Sequence, residues 1–284
     1  MKKFTSLGHL MNNKYLFVFE GKAEDVYFKG IEKHLLGVLP VSKCIFGADV
    51  YELYRQMTKY ESDGFIVDLF TVLKSQSQNS AAVLEGMTND DFAGIFLFFD
   101  YDSHVSAANK QLPGDDKILE MLEYFDNDTE NGLMLISYPM LEALRHYHGF
   151  EEFRDLIVKC KRNNCHKFSL CPKAEHCIKE PHYKELSVID SLSYMSNLNK
   201  YTDSIWQELM CAHLSKIALL IDGEYSFPSR MYFQKEIFEA QLDKYISLEC
   251  PHVSVLSSFP AFLLYYWGLD NTKKRIIDNS KKEI

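Results

Sequence analysis

Short apolar runs alternate with helix-spaced segments through the first half of the chain. Residues 15–19, YLFVF, form a β-prone run that stops at Glu20-Gly21-Lys22. AEDVYFKGIEKHLL follows with helical spacing, which predicts a helix burying Val26, Ile31 and Leu35, with Tyr27 and Phe28 beside them. A second short strand is expected at 43–46, then a helix from Asp49, a good N-cap residue. Residues 64–74 read as helix and SQSQNS at 75–80 as a polar loop. IFLFF at 95–99 is apolar at every position, the pattern of a central parallel strand buried on both faces. It ends at Asp100-Tyr101-Asp102-Ser103-His104. A polar loop, a helix near 115–125 capped by Asp115, and LMLIS at 133–137 continue the alternation. Strands alternating with helices predict an α/β domain over residues 1–150, a parallel sheet flanked by helices.

From residue 151 to 284 the pattern is mostly α-helical, with helices expected near 187–197, 203–221 and 231–246. Residues 253–268 read as a short strand and a helix from near Pro260, and the basic tail is expected to fray. This region opens on Cys160, Cys165, Cys171 and Cys177, four thiols within eighteen residues. Zinc takes four sulfur or nitrogen ligands, so the cluster is a candidate structural Zn²⁺ knuckle. The spacings lack a CxxC pair, and reduced core cysteines are the equal alternative. Lys159, Lys161, Arg162, Lys167 and Lys173 accompany the thiols, with no acid until Glu175. That stretch is a candidate nucleic-acid path, with a solvated face as its alternative.

Composition narrows the classes. The chain has 284 residues, 46% hydrophobic and 25% charged, as soluble globular proteins do. A net charge of −9 argues against coating nucleic acid but not against cutting it. The longest apolar runs, such as FLLYYW at 262–267, are too short to cross a bilayer, and the first residues carry no secretion signal. Seven cysteines, four of them clustered, do not resemble a secreted disulfide framework. The reading is a cytoplasmic protein.

The acidic residues are placed suggestively. Glu20 ends the first strand, and Asp100 and Asp102 end the IFLFF strand. Ligand sites in open parallel sheets form at the carboxyl ends of strands, so these acids converge if the two strands are neighbours. Glu24 falls one turn into the following helix, on the same rim. A hard cation such as Mg²⁺ or Mn²⁺ takes oxygen ligands from a few carboxylates and water. Acids at strand ends also cap helices, and Asp25 could do so. A lone DxD would be weak, but EGKxE after one strand and DYD after another, in that order, is hard to explain by caps.

FVFEGKAEDVYF followed by LFFDYDSH resembles the Toprim domain, shared by topoisomerases, bacterial primases, small ribosomal RNA maturases and the OLD nucleases. Glu24 is similar to the second glutamate of the OLD pattern, and ISYPMLEAL supplies Ser137 and Glu142 for its later Ser and Glu, more widely spaced than in OLD proteins. The segment also resembles small standalone Toprim proteins of bacterial phage defence, the RloB group and the Toprim effector of the PARIS system. His104 fits the DxDxH variation of the RloB group. The resemblance covers about residues 14–147, half of the chain.

The resemblance implies phosphodiester hydrolysis with bound Mg²⁺ or Mn²⁺. Glu20 would take the position of the general acid or base, Asp100 and Asp102 would ligate metal, and His104 would join the catalytic set. Glu24 and Glu142 would complete a second metal site, with Ser137 as a weaker ligand or as a donor to a ligand. Lys22 would contact the scissile phosphate, or is simply a solvated turn lysine. The chain is too short for a topoisomerase gate and lacks primase modules and a Walker loop. The expected function is therefore a nuclease acting on RNA (tRNA included) or DNA, as a toxin-like effector of anti-phage defence. Expected partners are the nucleic acid, a separate ATPase protein and a second copy in a homodimer, with no membrane. The alternative is a non-catalytic module on the same scaffold, binding nucleic acid or a partner.

Overall fold

The computed structural model describes residues 14–37, 39–62, 68–101, 115–160, 181–248 and 250–278. Its centre is a five-stranded sheet of β1 (Lys14–Phe19), β2 (Val41–Ile45), β3 (Phe92–Asp100), β4 (Asp126–Asn127) and β5 (Gly132–Ser137). The order is β2-β1-β3-β5-β4. β2, β1, β3 and β5 run parallel, and only the short β4 is antiparallel to its neighbour. The two runs read as strands from their continuous apolar character lie side by side, with Phe98 in register with Phe19. β5 is buried along its whole length, as a strand covered on both faces must be.

Helices fill the crossovers. α1 (Lys22–Ile31) links β1 to β2, and α2 (Val50–Ser62), α3 (Leu69–Gln76) and α4 (Gln78–Val83) link β2 to β3. α5 (Asp115–Tyr124) precedes β4. The Asp49 cap holds, its carboxylate accepting the Glu52 N–H at 2.9 Å. Two expectations need correction. Residues 75–80 are not a loop: Ser77 caps α4 by accepting the Ser80 N–H at 3.0 Å, so the polar run breaks one helix and starts another. Val26 is not buried but 54% exposed. The buried stripe of α1 is Glu24, Tyr27, Phe28 and Ile31, an i, i+3, i+4, i+7 set that Val26 falls outside and that takes an acid in with it.

The second half contributes α6 (Phe150–Arg154), α7 (Tyr183–Ile189), α8 (Asp203–Asp222), α9 (Gln234–Gln241), α10 (Ser258–Trp267) and α11 (Leu269–Lys273). A two-stranded ribbon joins β6 (Ile157–Lys159) to β7 (His252–Ser254). The helix expected over 187–197 is shorter: α7 stops at Ile189, and residues 193–196 form a 3₁₀ turn. α10 lies directly on the sheet. The Phe262 ring sits 5.2 Å from Phe17, 4.9 Å from Phe96 and 5.6 Å from Phe98, centroid to centroid. One continuous buried core therefore joins strands from the first half to helices from the second.

α1 meets α8 at Gly30, where a Cβ would come within 2.4 Å of Trp206 Cζ2. The indole is fully buried and has nowhere to retreat. Alanine in a helix ordinarily gains about 1 kcal/mol over glycine. At this contact the sign reverses: Gly30→Ala is expected to destabilise by about 1–3 kcal/mol through overpacking. Chemical denaturation checks this; a stabilised variant would mean that the two helices are not in contact. No described helix is long and apolar enough to cross a membrane.

Candidate metal centre

The strand order defines a crevice. From β1 the chain steps to β2 on one side, then crosses back to β3 on the other and on to β5. The connections therefore diverge at the carboxyl ends of β1 and β3, the place where open α/β sheets take ligands. Glu20 follows the last residue of β1, and Asp100 is the last residue of β3. The Glu20 N–H donates to the Phe98 carbonyl at 3.1 Å, and its carbonyl accepts the Gly47 N–H at 2.9 Å. With its backbone pinned between β3 and the loop after β2, Glu20 reaches across and its Oε2 accepts the Asp100 N–H at 3.0 Å.

Glu24 arrives by a different route. Gly21 is the N-cap of α1, and its N–H donates to Glu24 Oε2 at 3.1 Å. Glu24, not Asp25, therefore closes the helix start; Asp25 pairs with Lys29 at 2.7 Å. Glu142 comes from the 3₁₀ turn Leu141–Leu144 beyond β5. These acids line one cleft of about 390 Å³, together with Lys22, Asp49 and Lys184.

The carboxylates act on one another. Burial pushes the Asp100 carboxyl well above the usual carboxylate range, and Glu20, Glu24 and Glu142 push it further, against a bond from the Leu141 backbone. Burial likewise raises Glu24; Glu142 adds to this, while the bond from Gly21 and the Lys184 charge oppose it. A carboxyl raised in the folded state binds its proton more tightly there than in the unfolded chain. It therefore favours the fold most at acid pH, and that contribution is lost as pH rises from the unfolded value, about 4, through the raised one. Without divalent ions, stability is thus expected to fall over that window, and Asp100→Asn should flatten the fall. Melting temperature against pH in chelator checks it; a slope unchanged by Asp100→Asn would contradict it.

Four sequence-predicted acids, Glu20, Glu24, Asp100 and Glu142, are thus brought together, with Lys22 exposed at the first position of α1 beside them. Ser137 is placed otherwise. It is buried, its hydroxyl bonds with Ser258 Oγ at 2.9 Å and accepts the Ser258 N–H at 3.2 Å, and it is not in the cleft wall. Asp102 and His104 lie outside the described residues, as do Cys165, Cys171, Cys177, Lys161, Arg162, Lys167 and Lys173. Cys160 is buried, with its backbone N–H donating to the Pro251 carbonyl, and Lys159 is a partly buried residue of β6. Lys184 was not legible in the sequence: it reaches the cleft from α7, and no motif spacing ties it to the acids.

Every side-chain donor the acids offer is a hard oxygen, the type that suits Mg²⁺ or Mn²⁺. Among the described residues no three His, Cys, Asp or Glu side chains close around one point tightly enough to hold an ion as they stand. Like charges with no cation between them keep apart. No family model, no curated protein and no solved structure matches this chain.

Proposed function

We propose that this chain is a Toprim-like, metal-dependent nuclease that hydrolyses phosphodiester bonds of RNA or DNA. One observation carries the reading: Glu20 and Glu24 from the first strand–turn–helix unit, Asp100 from the end of β3 and Glu142 from the turn beyond β5 line one cleft at the switch point of a parallel sheet. The Asp100 and Glu24 carboxyls are raised first by burial and then by neighbouring acids, so ionising them strains the site. A bound Mg²⁺ or Mn²⁺ would relieve that strain and supply charge neutralisation to a phosphate. Glu20, Glu24, Asp100 and Glu142 would hold it.

The chain's own groups have distinct tasks in this reading. Glu20 is oriented by the Asp100 N–H, which fixes Oε2 and so aims the carboxylate as a proton acceptor at the cleft. Lys22, exposed at the start of α1, meets a phosphate oxygen. The backbone bonds to Glu20 and Glu24 keep both carboxylates in place before substrate arrives, which is what electrostatic stabilisation of a developing charge requires. The wider setting, a toxin-like effector of phage defence with a separate ATPase partner and a homodimeric assembly, rests on the Toprim resemblance alone.

The test is direct. Purified protein with Mg²⁺ or Mn²⁺ is incubated with tRNA, other RNA, single-stranded DNA and duplex DNA in separate arms. Cleavage of at least one, absent in chelator, is the expected result. A second reading, a non-catalytic binding module on this scaffold, draws on the fact that the described acids do not close around one point. Tight binding without cleavage in every arm would favour it.

A further inference from the structure

A cleft lined by five carboxylates, Asp49 included, repels a polyanion, so a nucleic-acid phosphate needs cationic groups at the rim to approach it. Among the described residues lining the cleft the cations are Lys22 and Lys184. Lys22 belongs to the strand–turn–helix unit that carries Glu20. Lys184 belongs to α7, in the other half of the chain, and lies on the Glu142 side of the cleft with its Nζ 3.9 Å from Glu142 Oε1. An ion pair this long, with the lysine side chain 67% exposed, contributes little to stability. Its position therefore calls for another account.

The backbone of Lys184 is held firmly even though its side chain is not. Arg145 Nη2 donates to the Lys184 carbonyl at 3.0 Å, and Ser187 Oγ donates to the same carbonyl at 2.9 Å. Arg145 Nε donates to Ser187 Oγ at 3.1 Å, closing the arrangement. Arg145 is itself tied to the acid site, because its N–H donates to the Glu142 carbonyl at 3.1 Å. One arginine thus fixes the turn carrying Glu142 to the helix carrying Lys184. The flexible stem then places an ammonium in the cleft lining beside Glu142, with three donors to offer.

Resting on the nuclease reading, we infer that Lys184 is a substrate-binding residue. It takes a non-bridging oxygen of the nucleic-acid backbone on the Glu142 side of the cleft, and Arg145 positions it. The second half of the chain thereby supplies part of the binding site for the phosphate.

The experiment measures binding. Full-length Asp100→Asn protein, unable to cut, is titrated in Mg²⁺ with a labelled single-stranded RNA of mixed sequence and, in parallel, a DNA duplex. Anisotropy is followed over a range of salt concentrations. Adding Lys184→Gln is expected to weaken binding by about tenfold or more at low salt, the worth of one charge-assisted contact. It should also shrink the slope of log affinity against log salt by about 0.7 to 0.9, the release from one phosphate. Lys184→Arg should keep the slope, and melting temperatures should match throughout. Binding with an unchanged slope in Lys184→Gln overturns the inference and leaves the nuclease reading standing. Binding by none of the proteins overturns both. If Lys184→Gln melts early, the slope of Lys184→Arg against a Lys184→Met variant decides in the same way.

Discussion

Changing Asp100 to alanine abolishes cleavage and leaves the metal-free protein at least as stable as before. Activity is lost because the carboxylate helps to hold a cation that must neutralise charge in the transition state. Losing one oriented electrostatic element of that kind commonly costs about 100- to 1,000-fold, and losing the ion more. Stability survives because Asp100 is pushed up by burial and by Glu20, Glu24 and Glu142, so the native site is strained by its charge. Removing that charge relieves repulsion. The one bond forfeited, from the Leu141 backbone, lies at an open cleft where water can replace it. Glu20→Ala should behave alike, the Asp100 N–H turning to water. Glu24→Ala should differ, because Glu24 closes the start of α1 through Gly21 and its loss costs about 1 kcal/mol of capping. Initial cleavage rate beside melting temperature in chelator separates the cases. An Asp100→Ala protein that cuts at the wild-type rate would remove the site from catalysis, and one that melts far below wild type would make Asp100 a structural residue.

The second large effect concerns the fold. Phe262→Ala is expected to cost about 3–5 kcal/mol, among the largest losses a single core truncation produces. The ring is fully buried and packs on Phe17, Phe96 and Phe98 of the two central strands, with Tyr266 5.6 Å away on its own helix. No neighbour is free to fill the space, because those rings are themselves buried in β-sheet register. At about 2–4 °C per kcal/mol for a chain near this size, melting should fall by roughly 6–20 °C. Unfolding should remain a single transition, since α10 belongs to the same core as β1 and β3. A loss under about 1 kcal/mol would mean that α10 does not form a layer on the sheet.

How far the chain could be read varied with the kind of signal. YLFVF and IFLFF declared themselves because a central parallel strand is apolar on both faces, and no short amphipathic helix has that pattern. Convergence of Glu20 and Asp100 was conditional on the two strands being neighbours, and the sheet order places them side by side. Glu142 was named from the OLD resemblance, whose pattern has a Ser and a Glu after the next strand, and it lines the cleft. Ser137, from the same segment, was misassigned to the cleft: a serine at a strand end carries no signal that says whether it faces a ligand or, as here, another serine 121 residues away. Val26 was misplaced because an apolar side chain outweighed the helical phase set by Glu24, Tyr27, Phe28 and Ile31. A buried acid breaks the hydrophobic stripe that periodicity seeks. α10 was legible as a helix but not as the cover of the sheet, since a segment apolar all round does not say which surface it meets. Lys184 was invisible for the same reason: its place depends on Arg145 gripping a backbone carbonyl, which leaves no trace in spacing.

The central claim is that four carboxylates from three stretches of chain act as one divalent-cation site. Mn²⁺ binding followed by electron paramagnetic resonance tests it most directly, as the loss of free-ion signal when metal-free protein is added. The account predicts saturable Mn²⁺ uptake by the wild type, competed by Mg²⁺, strongly weakened in both Glu20→Ala and Asp100→Ala, and accompanied by a rise in melting temperature that those variants lack. Wild-type protein that leaves the free Mn²⁺ signal untouched, or variants that bind as the wild type does, would contradict it.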